Sequence, residues 1–322
     1  MMKRLAWGVV ALHLIVTVVL SGCVKQVRST VPAFAQAAEL TSTNVQSALQ
    51  TVETNYYATN AFTYSVNYDG NWNPSKIPTS WLTPEAMNVR VEILEGLKKY
   101  ASELSGLTGS NDVDQLNKAS TAVGQSLKGL VGTPQFQKMS AAKSLPDNFS
   151  SLAAAAVDAL GNWLIELKLQ QNLPSEIEKM DPNIQKICTL LEADIGAVDM
   201  NIQNSIEGSG VRQVVWISYN QRIITQNQYI LHNQCTSERT TNCLSGNDRL
   251  AEIQKLPALV QQQRTTDQTL KQVQATVKQL AAAHTELLKA VQSKQTLTAD
   301  LGNLLAEAQR LNTYYQTLAS SK

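Results

Sequence analysis

Along most of the chain apolar residues recur at intervals of three and four, the spacing that lines one face of an α-helix. From Pro84 onward Val89, Ile93, Leu97, Tyr100 and Leu104 share such a face. Thr83 is placed to cap that helix, Pro84 stands at its first position and Glu85 favours its dipole. The segment Leu107 to Asn111 ends it. Upstream, Pro32 is read as opening a helix that runs to about Thr59. Downstream, a weaker pattern spans about Asp112 to Leu130 and closes on Gly129, Gly132 and Pro134. A loop to Pro146 follows, and then a helix from Ser150 to Gln171 with an unusually apolar first half.

The carboxyl-terminal half is more strongly periodic. Pro182 opens a run in which Ile184, Ile187, Leu191, Ile195, Val198, Ile202 and Ile206 form one stripe. Glu207-Gly208-Ser209-Gly210 interrupts it, implying a bend or a hinge, and the pattern resumes through Val214, Ile217, Ile224 and Ile230. From Leu256 to Ala319 a heptad stripe of nineteen positions holds thirteen apolar residues, where the 43% background would give about eight. That stripe predicts one helix of about sixty residues, about 90 Å long. Its polar entries Gln263, Thr266, Lys294 and Thr298 make a dry seam between two parallel copies less attractive. The expected partner is therefore the Pro182 to His232 region, lying antiparallel as a hairpin. A parallel homodimeric coiled coil is the competing arrangement.

One segment breaks the helical rhythm. Phe62, Tyr64, Val66 and Tyr68 alternate with Thr63, Ser65, Asn67 and Asp69, and Asp69-Gly70 is a turn signal, which together define a candidate short β-hairpin near residues 60–75. The expected fold is thus all-α, an elongated bundle with long antiparallel coiled-coil-like helices and that one hairpin. Residues 32–322 are read as a single domain, with shorter helices over 32–175 and the long hairpin over 182–320. Seven of the seventeen aromatic residues beyond Trp7 crowd into the hairpin or beside it. Tyr64, Tyr68, Trp72 and Trp81 are accordingly a candidate recognition surface for glycan or protein, the competing role being a plug over the end of the bundle.

The amino terminus carries an address. Lys3 and Arg4 precede an apolar run, Leu5 to Leu20, that is short for a permanent bilayer span. Next comes Leu20-Ser21-Gly22-Cys23, which resembles the lipobox of bacterial prolipoproteins. The resemblance implies that residues 1–22 are a signal peptide removed in processing, that the Cys23 thiol takes a diacylglyceryl group, and that its new amine is acylated. Two or three acyl chains anchor a protein stably where one does not. Residues 23–31 then read as a tether. Val24, where an aspartate favours inner-membrane retention in the enterobacterial lipoproteins that the motif is similar to, implies the outer membrane facing the periplasm. A cell-surface location is the alternative.

Charge and cysteines narrow the partners. The chain has 27 basic and 26 acidic residues, so losing Lys3 and Arg4 leaves 25 against 26, and no basic block points to nucleic acid. Of the cysteines other than Cys23, Cys235 and Cys243 flank a polar loop and are expected to pair, which leaves Cys188, in an apolar stripe, as a buried thiol. His284 falls at a heptad core position, where a polar register-setting residue is expected and not a ligand. No nucleophile elbow, phosphate-cradling loop or His-Glu-x-x-His run is present, so the expectation is a protein with no catalytic residue, metal or cofactor.

Three functional classes follow. The first is a lipid-anchored structural or interaction protein of the cell envelope, a helical spacer or docking surface with a protein partner. The second is a membrane-active protein similar in shape to helical pore-forming toxins, in which Phe149 to Ile165 inserts; Asp158 and Asn162 favour a buried core helix instead. The third is an accessory protein that binds glycan or lipid through the aromatic segment.

Overall fold

In the computed structural model, residues 3–66, 84–108, 113–140, 145–146, 148–166, 173–201, 210–238, 240–293 and 299–320 are described, with side chains placed for all of these except 3–29 and 113–119. The described residues form an all-α bundle: α1 Lys3–Val66, α2 Pro84–Gly106, α3 Val113–Leu130, α4 Pro134–Ser140, α5 Phe149–Glu166, α6 Leu173–Ile195, α7 Val211–His232, α8 Gly246–Ser293 and α9 Ala299–Ser320. Helix α8 is the axis. At about 1.5 Å per residue its 48 residues span about 72 Å.

Hydrogen bonds fix how the neighbours lie on that axis. Gln185 donates to Ala281 O at 2.8 Å, Gln274 to Glu192 O at 3.0 Å, Arg212 to Asp267 at 2.9 Å, Gln263 to Trp216 O at 3.2 Å and Gln226 to Glu252 at 2.8 Å. Residue numbers climb on one side as they fall on the other, so α6 and α7 lie end to end along α8, both antiparallel to it. This is the hairpin that the apolar stripes predict, and the polar entry Gln263 serves as a cross-link within it.

Between α6 and α7 the chain leaves the line of the helix and comes back to the same point. Gly196 has φ +70°, and a Cβ on Gly210 would stand 2.7 Å from the Gly196 Cα, so neither position tolerates a side chain. The interruption read at Gly208 and Gly210 is therefore a closed excursion at Gly210; Gly208 lies outside the described residues. Gln274 and Arg212 donate to Gly196 O at 2.8 and 3.3 Å and so satisfy the end of α6.

Several expectations need correction. The sixty-residue helix is two helices, because α9 turns back and packs on α8: Gln279 donates to Asp300 O at 3.2 Å and Thr276 to Glu307 O at 3.3 Å. Lys294 and Thr298 fall outside the described residues. Residues 60–66 are not a strand but the last turns of α1, where Thr63 and Ser65 hydroxyls donate back to Thr59 O and Phe62 O at 3.2 and 2.7 Å. Residues 23–31 are not a separate tether, since the helix runs through them and Val31 is buried. Pro32 and Pro182 lie inside α1 and α6 and open neither.

Helices α2, α3, α5 and α6 widen one end of the molecule. The face predicted for α2 is buried at all five positions. Helices α3 and α5 touch through glycine: a Cβ on Gly161 would lie 2.8 Å from Gly124 O, and one on Gly124 would lie 2.5 Å from Gly161 O. Helix α5 buries Phe149, Val157, Leu160, Trp163 and Leu164 in the core. Among the residues with placed side chains, no helix is long and apolar enough to cross a membrane.

Candidate functional site

The loop between α7 and α8 forms a braced tip. The Cys235 and Cys243 sulfurs are at bonding distance, 2.06 Å. Beside them Cys235 N donates to Leu244 O at 3.2 Å and Leu244 N to Asn233 O at 2.5 Å. Ser245 and Asp248 then cap α8 reciprocally: Ser245 N and Oγ donate to the Asp248 carboxylate at 3.1 and 2.6 Å, and Asp248 N donates back to Ser245 Oγ at 3.3 Å. Those hydrogen bonds hold the Asp248 carboxyl below its ordinary range.

Large apolar side chains gather on this tip in contact with water. Ile224 is 48% exposed, Leu231 62%, Leu250 55% and Ile253 43%, four of the eight large hydrophobics exposed among the described residues. The Gln226 to Glu252 pairing places all four within about 10 Å along the hairpin axis at 1.5 Å per residue. Ile224 and Leu231 lie about half a turn round α7 from Arg222, which faces α1, so they look away from the body. The apolar stripe expected on α7 is thus partly inverted: Ile224 points out while Thr225 and Gln226 are buried.

At the wide end, five helices meet on His284, which is wholly buried. Its Nδ1 lies 2.8 Å from Asp181 Oδ1 on α6 and its Nε2 2.8 Å from Tyr100 OH on α2. The Phe34 ring of α1 packs edge-on at 5.7 Å, and Tyr100 stacks edge-on against Trp163 of α5 at 4.7 Å. Trp163 Nε1 donates to Glu176 at 2.8 Å. Burial raises the Asp181 carboxyl, but hydrogen bonds and charge from His284, with hydrogen bonds from Thr285 and Gln185, outweigh it and leave the carboxyl below its ordinary value. Both ring nitrogens of His284 therefore have a partner, Nδ1 the Asp181 carboxylate and Nε2 the Tyr100 hydroxyl. Burial, reinforced by Asp181 and Glu176, pushes the Tyr100 phenol well above its usual range, so this hydroxyl keeps its proton. The chain of groups ties α2, α6 and α8 together around one imidazole.

The predicted site residues do not converge. Cys23 lies in α1, in the part without placed side chains, and Tyr64 sits half-buried near the end of the same helix. Tyr68, Trp72 and Trp81 lie outside the described residues. Cys188 is a free buried thiol, and burial, with a smaller effect of Glu192, pushes it up to about 12. Among the described residues no group of three or more His, Cys, Asp or Glu could hold a metal ion. The exposed tip residues escaped the periodicity because three of them fall off the stripes; apolar residues out of phase beside a disulfide loop are the signal that marks them.

Fold and tip together define a helical bundle that carries a disulfide-braced, apolar-faced hairpin end. Neither a family model, nor a curated protein, nor a solved structure matches the chain.

Proposed function

We propose that the protein is a lipid-anchored component of the bacterial cell envelope whose helical body holds the disulfide-braced tip away from the membrane as a docking surface for another protein. The observation that carries this reading is the row of exposed Ile224, Leu231, Leu250 and Ile253 on a rigid tip. Isolated exposed apolar residues are ordinary, but four of them within about 10 Å along the end of one hairpin form a concentration that suits a docking surface.

The geometry of the ends supports a spacer. Helix α1 runs antiparallel to α8, since Phe34 packs on His284 while Phe62 lies in one groove with Leu259. Cys23 is eleven residues upstream of Phe34, about 16 Å further along the helix, which takes it to the level where α8 ends. The tip lies at the opposite end of α8, about 70 Å away by the same rise. A lipid on Cys23, as the lipobox resemblance implies, thus places the membrane and the apolar tip at opposite ends.

Photo-crosslinking of the membrane-bound protein tests this. A crosslinking residue at position 250 is expected to give discrete adducts with one envelope protein, lost on Leu231→Ser with helicity unchanged, while the same residue at Arg310 on α9 gives none. Equal adducts from both positions, or adducts that survive Leu231→Ser, would rule the tip out. Incorporation of a labelled fatty acid, abolished in Cys23→Ala, is the expected result for the anchor.

A further inference from the structure

Among the described residues four arginines are buried or half-buried; two of them have an aspartate, and of the other two Arg249, at the start of α8, also holds a buried Nε without an acceptor. Arg90 is paired with Asp194 and Arg212 with Asp267. Arg222 of α7 has no ion-pair partner among the described residues. Its guanidinium lies over the Phe62 ring, 4.9 Å from the centroid, and its Nε is shut off from solvent without an acceptor. A guanidinium whose Nε is desolvated with no counter-charge beside it is unfavourably placed. The aromatic face offsets only part of that cost. Burial correspondingly depresses the proton affinity of the Arg222 guanidinium, with Tyr219 opposing.

The same arginine lines a groove of about 480 Å³ where the end of α1 meets the α7–α8 hairpin, together with Phe62, Gln226, Lys255, Ala258 and Leu259. No carboxylate is among the lining residues. Glu252, which bonds two of the lining residues, is engaged by Lys255 at 2.7 Å and by Gln226 at 2.8 Å. Arg222 and Lys255, the latter paired with Glu252, are the cations of a lining completed by Phe62, Ala258 and Leu259 and by the polar side chains of Gln226, Gln261, Gln262 and Thr265. Ligand clefts of this size combine apolar walls with a few placed polar groups that fix the orientation of the ligand.

We propose that this groove binds an amphipathic monocarboxylate, of the fatty-acid class, with its head group against Arg222 and Lys255 and its apolar body along Phe62, Ala258 and Leu259. The groove opens on the side of the hairpin that faces α1, half a turn from the exposed Ile224 and Leu231, so the ligand and the docking partner occupy separate faces. The ligand supplies the anion that Arg90 and Arg212 obtain from aspartates.

The full chain in lipid nanodiscs, incubated with a diazirine-bearing dodecanoate, tests the assignment. Irradiation is expected to label the peptides that contain Phe62 and Ala258, with unlabelled laurate competing and the matching diazirine-bearing alcohol labelling at least tenfold less. Arg222→Gln should lower the labelling at least tenfold, and Arg222→Lys, which keeps the charge, should restore a large part of it. Equal labelling by the alcohol, undiminished labelling of Arg222→Gln with native helicity, or no labelling of these peptides would each overturn the proposal. Failure of the tip crosslinks leaves this experiment unaffected, so the two readings fall separately.

Discussion

At the scale of single residues, His284 shows how one polar side chain orders a core. Its two ring nitrogens face Tyr100 and Asp181, and both partners are needed because a buried imidazole nitrogen without a partner costs about 1–3 kcal/mol. Tyr100→Phe deletes one hydroxyl and little volume. It is expected to destabilise the protein by about 1–3 kcal/mol in urea unfolding, through the orphaned Nε2 and not through lost packing. Asp181 contributes to the acid limb of stability. Its folded carboxyl lies below the ordinary value, so the stabilisation is full above about pH 4 and is lost as pH falls through the lower folded value. Asp181→Asn should flatten that acid limb; an unchanged dependence of unfolding free energy on pH below 4 would show that the pairing does not count. Tyr100 acts in the opposite direction: with the phenol raised, stability holds up to its ordinary value near 10 and falls as pH climbs beyond it.

At the scale of elements, contact between helices is decided by what their glycines allow. Replacing Gly161 by alanine gains helix propensity of up to about 1 kcal/mol. Against this, the new methyl would stand 2.8 Å from Gly124 O, a backbone atom that cannot rotate away, so α3 and α5 must separate. Overpacking of that kind costs about 1–3 kcal/mol, and the steric term wins. Gly161→Ala should therefore lower the thermal midpoint, whereas Gly302→Ala on α9, where nothing lies within 4 Å, should raise it slightly. Calorimetry of the two variants distinguishes a packing role from a propensity effect. The elements themselves were largely readable. Helix α2 follows from Val89, Ile93, Leu97, Tyr100 and Leu104, and the antiparallel seating of α6 and α7 on α8 follows from their matching stripes. The reversal between α8 and α9 was not readable, because Lys294-Gln295-Thr296-Leu297-Thr298 contains neither glycine nor proline to mark a turn. Within α9 the stripe holds at Leu301 and Ala308, both buried, while its alternate positions shift: Leu304, Leu311 and Leu318 are buried, each one residue before Leu305, Asn312 and Ala319 of the continued heptad. The alternation from Phe62 was misleading for a related reason, since period two over a few residues is outweighed when hydroxyls such as Thr63 bond back along a helix already packed over many turns. His284 could be placed in the core from its heptad position, but Tyr100 lies 184 residues away and no local pattern links the two.

At the scale of the whole molecule, stability is unevenly distributed. The wide end holds the converging helices, the His284 cluster and the Arg90 to Asp194 pair. Toward the tip the described residues thin to α7 and α8, whose exposed side chains include Ile224, Leu231, Leu250 and Ile253. The brace between Cys235 and Cys243 closes a short loop, and the loop-entropy relation assigns such a closure about 2.5 kcal/mol. That contribution acts where it is made, because regions with few buried contacts open locally and independently of the core. Changing both cysteines to serine is therefore expected to speed amide exchange in the last turns of α7 and the first turns of α8 while leaving amides of α2 and α6 around Tyr100 and Asp181 protected. If the tip is the docking surface, the same variant should lose the adducts from position 250, since a frayed hairpin no longer holds Leu231 and Leu250 in one plane. Faster exchange at the tip with adducts retained would mean that the partner orders the hairpin itself, and the disulfide would then be a brace for the unbound protein alone.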